Sequence, residues 1–392
     1  MTIIVFNAFS FILLLFIYWF RWRQFDFGFI LIATYTFVSV LGVFYFVNNS
    51  FKWMIISWPY IYLFVVLMLF FRPYFINHQK FYDGFRLRNV KFLKIFSKVF
   101  IFSGFLVIFY QIPIVIENLE SGEWLAIRDT LYYDDEFHLY ESQIERLVKI
   151  FIQYFRLPAI LALFYYLSSG KNKRYFNLVF AISIIVPSFF TAIIIAARGS
   201  LLVLLIELTI GYFIFKKNIP KKIKKYINVS AITILSIIVI FSIAVTASRF
   251  GELNQSSSLM FYFSHSFLSF NNGVADTITT YADGKYFFNY FYDNKVINFN
   301  ALGSHFGTSF ITFVGTLYID FGPVGTFLIA LIVPSFFNFR RNSKKYIDFA
   351  DLYLYAFYLS YLINGVFVVG FSNSLDWIIT ILFYILLKFR KI

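Results

Sequence analysis

The chain alternates long hydrophobic stretches with short polar breaks. Stretches of roughly 17–25 residues are long enough to cross a bilayer core as helices. About eleven are expected on this criterion, near 3–20, 27–47, 53–71, 99–117, 150–168, 175–195, 197–215, 227–246, 322–338, 352–370 and 376–388. The breaks fall into two kinds. Of the 34 Lys and Arg residues, 25 lie in six clusters: Arg21–Arg23, Arg72–Lys98, Lys171–Arg174, Lys216–Lys225, Arg340–Lys345 and Lys388–Lys391. Two expected spans separate each cluster from the next, so all six share one side of the membrane, and basic residues mark that side as cytoplasmic. The N-terminus is then expected outside and the C-terminus inside. The first stretch lacks a basic leader and a small-residue cleavage site, so it reads as a retained span.

The outer breaks include two long ones. Segment 117–149 carries nine Asp or Glu against three Lys or Arg. Segment 247–319 holds His265 and His305. Neither is expected to fold as an independent domain, and residues 1–392 read as one integral membrane domain. Near the end of the second segment, Phe306, Phe310, Phe313, Val314 and Leu317 recur at helical spacing, with Thr308, Thr312, Gly315 and Thr316 opposite. The pattern predicts a short amphipathic helix, interfacial or re-entrant, forming one wall of an outward-facing pocket. The expected fold class is thus an all-α polytopic membrane protein of about eleven spans (10–12) with a large outer loop.

Composition agrees. The chain is 60% hydrophobic and 14% charged, with a mean hydropathy of +0.74, which excludes a soluble protein of this length. The net charge of +14 is accounted for by the cytoplasmic clusters and does not call for nucleic acid. Without cysteine, disulfides, thiol catalysis and Cys-ligated metals are excluded. The 58 Phe and 29 Tyr signify little alone, since an A/T-rich codon bias produces the same enrichment. No internal repeat is visible, and no phosphate-binding loop, dinucleotide fingerprint, zinc-protease or serine-hydrolase motif is present.

Few ionisable residues fall within or beside the spans. Arg198 lies between the sixth and seventh, at the outer boundary; it reads either as an arginine snorkelling to headgroups or as a cation lining an outward cavity, its fork suited to phosphate. Arg249 follows the eighth span at its outer end. Arg156 lies about two turns inside the fifth, and is either a third anion ligand or the structural partner of Glu207, a mid-span carboxylate. Three arginines at one depth suit a lipid-linked pyrophosphate. Asp320, in the run Tyr318-Ile319-Asp320-Phe321-Gly322-Pro323-Val324-Gly325, reads first as a helix N-cap. His305, with His265 as the alternative, is the natural base for a sugar hydroxyl near neutral pH. Asp134-Asp135-Glu136 reads as a solvated patch before it reads as a cation site.

Taken together, the chain resembles the Wzy-type oligosaccharide repeat unit polymerases of O-antigen and capsule synthesis. The likeness rests on Ala196-Ala197-Arg198-Gly199-Ser200 entering a span, the long outer loop, and its exit Thr312–Gly325, similar to the family's aromatic–Asp-Phe-Gly–Gly pattern. Where family members often carry an Asn-Val-Tyr-Thr-like run, this chain has Ser304-His305-Phe306-Gly307-Thr308. The resemblance implies a metal-independent glycosyltransferase of the bacterial inner membrane without a cofactor, its active site facing the periplasm. Its substrate would be an undecaprenyl-pyrophosphate-linked oligosaccharide, and its partners membrane lipids and a chain-length regulator. It further implies Arg198, Arg249 and Arg156 on the pyrophosphate, with His305 and Asp320 catalytic. An O-antigen ligase would share these features; a lipid-linked oligosaccharide flippase would be expected to show more spans, pseudo-repeats and shorter outer loops.

Overall fold

The computed structural model describes residues 2–49, 55–75, 85–122, 142–170, 174–195, 199–250, 264–275, 278, 281–285, 287–288, 311–337, 347–366 and 374–389, without the side chains of 49, 85–86, 246–250 and 273. The described residues are helical almost throughout. The helices are α1 (Thr2–Trp22), α2 (Phe27–Asn49), α3 (Ser57–Phe71), α4 (Val90–Ser121), α5 (Gln143–Tyr154), α6 (Arg156–Ser169), α7 (Arg174–Ile194), α8 (Gly199–Phe215), α9 (Lys221–Phe250), α10 (Thr312–Phe336), α11 (Phe349–Asn364) and α12 (Ser374–Lys388). Six of them, α1, α2, α4, α7, α9 and α10, are long and apolar enough to cross a membrane, and α5 with α6 makes a seventh if a bent pair is one span. Their exposed faces are as apolar as their cores: Phe6, Phe9, Phe16 and Phe20 on α1, Phe102 and Phe109 on α4, and Ile232 and Ile240 on α9 are all exposed. Water does not tolerate such a surface, whereas lipid does.

Two sequence expectations are corrected. The fifth span is not continuous. α5 and α6 meet at Phe155 with a bend of 56°, and Pro158, lacking an N–H, sits in the first turn of α6 where none is needed. Of the helix expected over Phe306–Leu317, positions 306–310 lie outside the described residues; from Thr312 on it is helical and not amphipathic in its surroundings, since 311–320 is buried on every face, where its Thr and Gly positions permit close packing rather than meeting water. The all-α class stands, and among the described residues the helices are accompanied by one parallel ladder of two residues per strand, β1 (Phe85–Arg86) with β2 (Ile347–Asp348).

Contacts gather the chain into two compact units, one of Met1–Gln79, Ser256–Lys345 and Phe357–Leu382, the other of Lys80–Gln255, Tyr346–Ala356 and Phe383–Ile392. In the second, α4 crosses α7 where Gly104 lies against Ser183; a Cβ at Gly104 would come within 2.7 Å of it, the close approach small residues give apolar helices. Ala192, Leu201 and Ile238 join α7, α8 and α9 in a small core. Asn89 caps α4 by accepting from the Phe92 N–H at 3.0 Å, and its amide donates to the carbonyls of Leu386 and Phe389 at the end of α12.

The first unit is built on α1–α3. Tyr35 donates to the Leu362 carbonyl at 2.8 Å and Tyr358 to the Phe70 carbonyl at 2.9 Å, so buried hydroxyls satisfy helix carbonyls where water is absent. Into this unit passes the helical segment 264–275, which closes with a π turn at Phe270–Ala275 and is buried at every residue whose side chain is described. Phe267 lies 5.8 Å from Phe11 and 6.3 Å from Tyr35. Phe11 is halfway along α1, so this part of the expected outer loop reaches the depth of the helices.

Candidate functional site

In the first unit, two buried helical pieces pack on one another: segment 264–275, as far as it is described, and the first half of α10. Phe270 meets Tyr318 edge-on at 5.8 Å, and a Cβ on Gly315 would reach the Phe270 ring at 3.4 Å. The Asn271 side chain pairs with both backbone groups of Ile56, accepting its N–H at 3.3 Å and donating to its carbonyl at 2.7 Å. Thr312 starts α10 with φ 62°, an outlier for a β-branched residue. Its hydroxyl accepts the Gly315 N–H at 3.2 Å, and the Phe313 N–H donates to the Gly365 carbonyl at 2.8 Å.

α10 breaks at Gly322, whose φ 66° and ψ −176° belong to a region open almost only to glycine. A side chain there would also meet the Tyr281 ring at 3.0 Å. Glycine and the following proline make the stop-and-restart local in origin. The Tyr62 hydroxyl donates to the Pro323 carbonyl at 2.6 Å, tying the restart to α3. Gly315, by contrast, lies inside the helix.

Asp320 sits two residues before the break and is 1% exposed. A carboxyl oxygen accepts the backbone N–H of Phe287. One residue earlier, the Ile319 carbonyl accepts the Ala282 N–H at 2.9 Å, and the Phe287 carbonyl accepts the Ser374 N–H at 3.1 Å. The segment 281–288 is thereby held to the helix end. Its bend is an Asp-Gly turn: Asp283 and Gly284 have φ 53° and 80°, and Lys285 N–H closes it on the Ala282 carbonyl at 3.0 Å, the pattern of a type I′ turn. Asp-Gly between aromatic residues was a readable turn signal, yet the sequence reading passed over it. It also read Asp320 as the cap of the helix that follows. The carboxyl group instead caps a turn from 33 residues away.

Above this turn the rings form a connected group. Trp58 lies 6.2 Å from Tyr62 and 6.5 Å from Tyr318, and Tyr281 lies 6.1 Å from Tyr318. Tyr318 is buried, while Trp58 and Tyr281 are 43% and 39% exposed.

The other expected site residues are distributed differently. Arg156, in the second unit, is 8% exposed and its Nε donates to a Glu207 carboxylate oxygen at 2.6 Å. Of its two sequence readings, the pairing with Glu207 is the one formed. The pair joins the first turn of α6 to the middle of α8 and sits beside the 56° bend. His265, in the first unit, is buried at 3% exposure and hydrogen-bonded to the Ser269 hydroxyl one turn on. Burial disfavours its imidazolium and lowers its pKa to about 4, leaving a neutral ring too weakly basic to suit a base working near pH 7. His305, Arg198 and the Asp134-Asp135-Glu136 run lie outside the described residues, and so does the side chain of Arg249, whose backbone lies in the last turn of α9. No family model matches the chain, and neither a curated protein nor a solved structure matches it.

Proposed function

We propose that this protein is a membrane glycosyltransferase that polymerises lipid-linked oligosaccharide repeat units on the outer face of the bacterial inner membrane. The observation that carries the reading is the pair of buried helical pieces, 264–275 and the first half of α10, the second closed by Asp320 and the Gly322 break, which we take as entering the membrane without crossing it. Backbone that enters the membrane without crossing it occurs where protein surrounds it or where it lines a water-filled cavity. Here the two pieces come from the segment that the charge pattern assigns to the outside, and the second ends in the Asp-Phe-Gly-Pro run that carries the family likeness. Counting α3, α8, α11 and α12 as further crossings gives the eleven-span topology with an outer N-terminus.

In the proposed reaction, a hydroxyl of the non-reducing sugar of an incoming unit attacks the anomeric carbon of the growing glycan. A new glycosidic C–O bond forms as the anomeric bond to pyrophosphate breaks, and undecaprenyl pyrophosphate leaves. His305 takes the hydroxyl proton. Arg198 and Arg249 neutralise the charge developing on the pyrophosphate, a task that preorganised cations perform in a water-poor site. Asp320 holds the wall of the site. The purified protein in lipid nanodiscs, given lipid-linked repeat units extracted from its own source, is expected to yield a ladder of products on one lipid carrier. Unchanged substrate from an active, correctly folded preparation would contradict the reading, and transfer to a different lipid acceptor would make the protein a ligase.

A further inference from the structure

Along 281–285 the residues alternate between exposed and buried. Ala282 and Gly284 are buried, and Tyr281, Asp283, Lys285 and Phe288 are exposed. Phe288 is 42% exposed and the Asp320 carboxyl group fixes the turn from below. Exposed Asp283 and Lys285 place this face in water, since either charge in hydrocarbon is costly. Its large rings are therefore exposed to water on a backbone held by hydrogen bonds, an arrangement that costs solvation unless something stacks on them. One carboxylate and one ammonium leave the face without net charge, which does not suit a polyanion. Aromatic ring faces carry negative quadrupole density, attractive to the polarised C–H bonds of a pyranose, while carboxylate and ammonium groups bond its hydroxyls.

We propose that Trp58, Tyr281, Asp283, Lys285 and Phe288 form a carbohydrate-binding face, held in shape by Asp320 and taking the sugar portion of the lipid-linked substrate. The substrate assignment rests on the function proposed above; the binding of sugar does not. Trp58 and Tyr281, bridged by buried Tyr318, supply the stacking platform, and the Asp-Gly turn supplies the polar edge.

The test uses full-length protein in nanodiscs and a panel of soluble di- to tetrasaccharides built from hexose, N-acetylhexosamine and 6-deoxyhexose units, read by saturation-transfer NMR. At least one member is expected to bind, with transfer strongest at its C–H face. Trp58→Ala and Tyr281→Ala are each expected to weaken binding about tenfold, the cost of truncating an aromatic anchor, while Tyr281→Phe, which keeps the ring, retains most of it. Retained thermal unfolding shows that the variants fold. No binding across the panel, or binding by both alanine variants as strong as that of the wild type, overturns the proposal. So does quenching of Trp58 fluorescence by brominated lipids in a protein whose other tryptophans are replaced by Phe, because the ring would then be a headgroup anchor. Wild-type protein that binds sugars but yields no polymer would sink the polymerase reading and leave the face standing; polymer formation with unchanged binding by the variants would do the reverse.

Discussion

At the residue scale, Asp320 has the most to explain, because a 1% exposed carboxyl group in an apolar helix needs a reason. Its reason is the Phe287 N–H. Asp320→Ala leaves that donor without its acceptor and is expected to destabilise the protein by about 1.5–3 kcal/mol, whereas Asp320→Asn keeps an acceptor and loses less. Thermal unfolding in detergent checks the order, and equal loss in the two variants would deny the bond its role. That Asp320 mattered was legible in the sequence, from Asp-Phe-Gly-Pro leading into a span. Its partner was not, because a backbone N–H has no residue signature and lies 33 positions away. His265 gives a pH signature. With the folded pKa lowered to about 4 from an ordinary value near 6.5, the unfolded chain binds more protons between those values. Stability is therefore full above pH 6.5 and falls as pH drops toward 4. His265→Gln is expected to flatten that slope in unfolding measured from pH 4 to 8; an unchanged slope would place the titration elsewhere.

Elements were legible in type and order more than in shape. The hydrophobic stretches mark where the helices lie, but length alone does not reveal that the fifth is two helices. The cause is local, an irregular Phe155 before Pro158. The Arg156–Glu207 pair clamps α6 to α8 next to it. Removing one partner leaves a buried charge uncompensated, at about 3–5 kcal/mol, while replacing both with apolar residues of similar size is close to neutral. Arg156→Met and Glu207→Leu are thus each expected to destabilise, and the double variant to recover most of the loss. Polymer synthesis by a stable double variant would leave Arg156 a structural role alone; a stable but inactive one would give it a place at the pyrophosphate.

At the scale of the whole molecule, charge sorting assigns the sides and the interior does not. The basic residues gather where α1, α3, α8 and α12 end and where α4, α7 and α9 begin, a pattern that needs no structure to read. What it could not reveal is that part of the segment expected outside packs at helix depth, because a short buried piece and a water-exposed loop share an intermediate hydropathy. With no native cysteine, single-Cys labelling tests the assignment. An impermeant maleimide in intact or outer-permeabilised cells is expected to reach Lys285→Cys and to miss Lys222→Cys until the inner membrane is opened. The opposite result would invert the topology.

The central claim is that this membrane protein lengthens a lipid-linked glycan on the outer face. Deleting its gene and sizing the surface polysaccharide on a gel tests it most directly. The account predicts that the ladder of long chains collapses to carriers bearing a single repeat, restored by the wild-type gene and not by Arg198→Ala at equal expression. A full ladder in the deletion strain would contradict it, and so would the loss of all surface glycan, single repeats included.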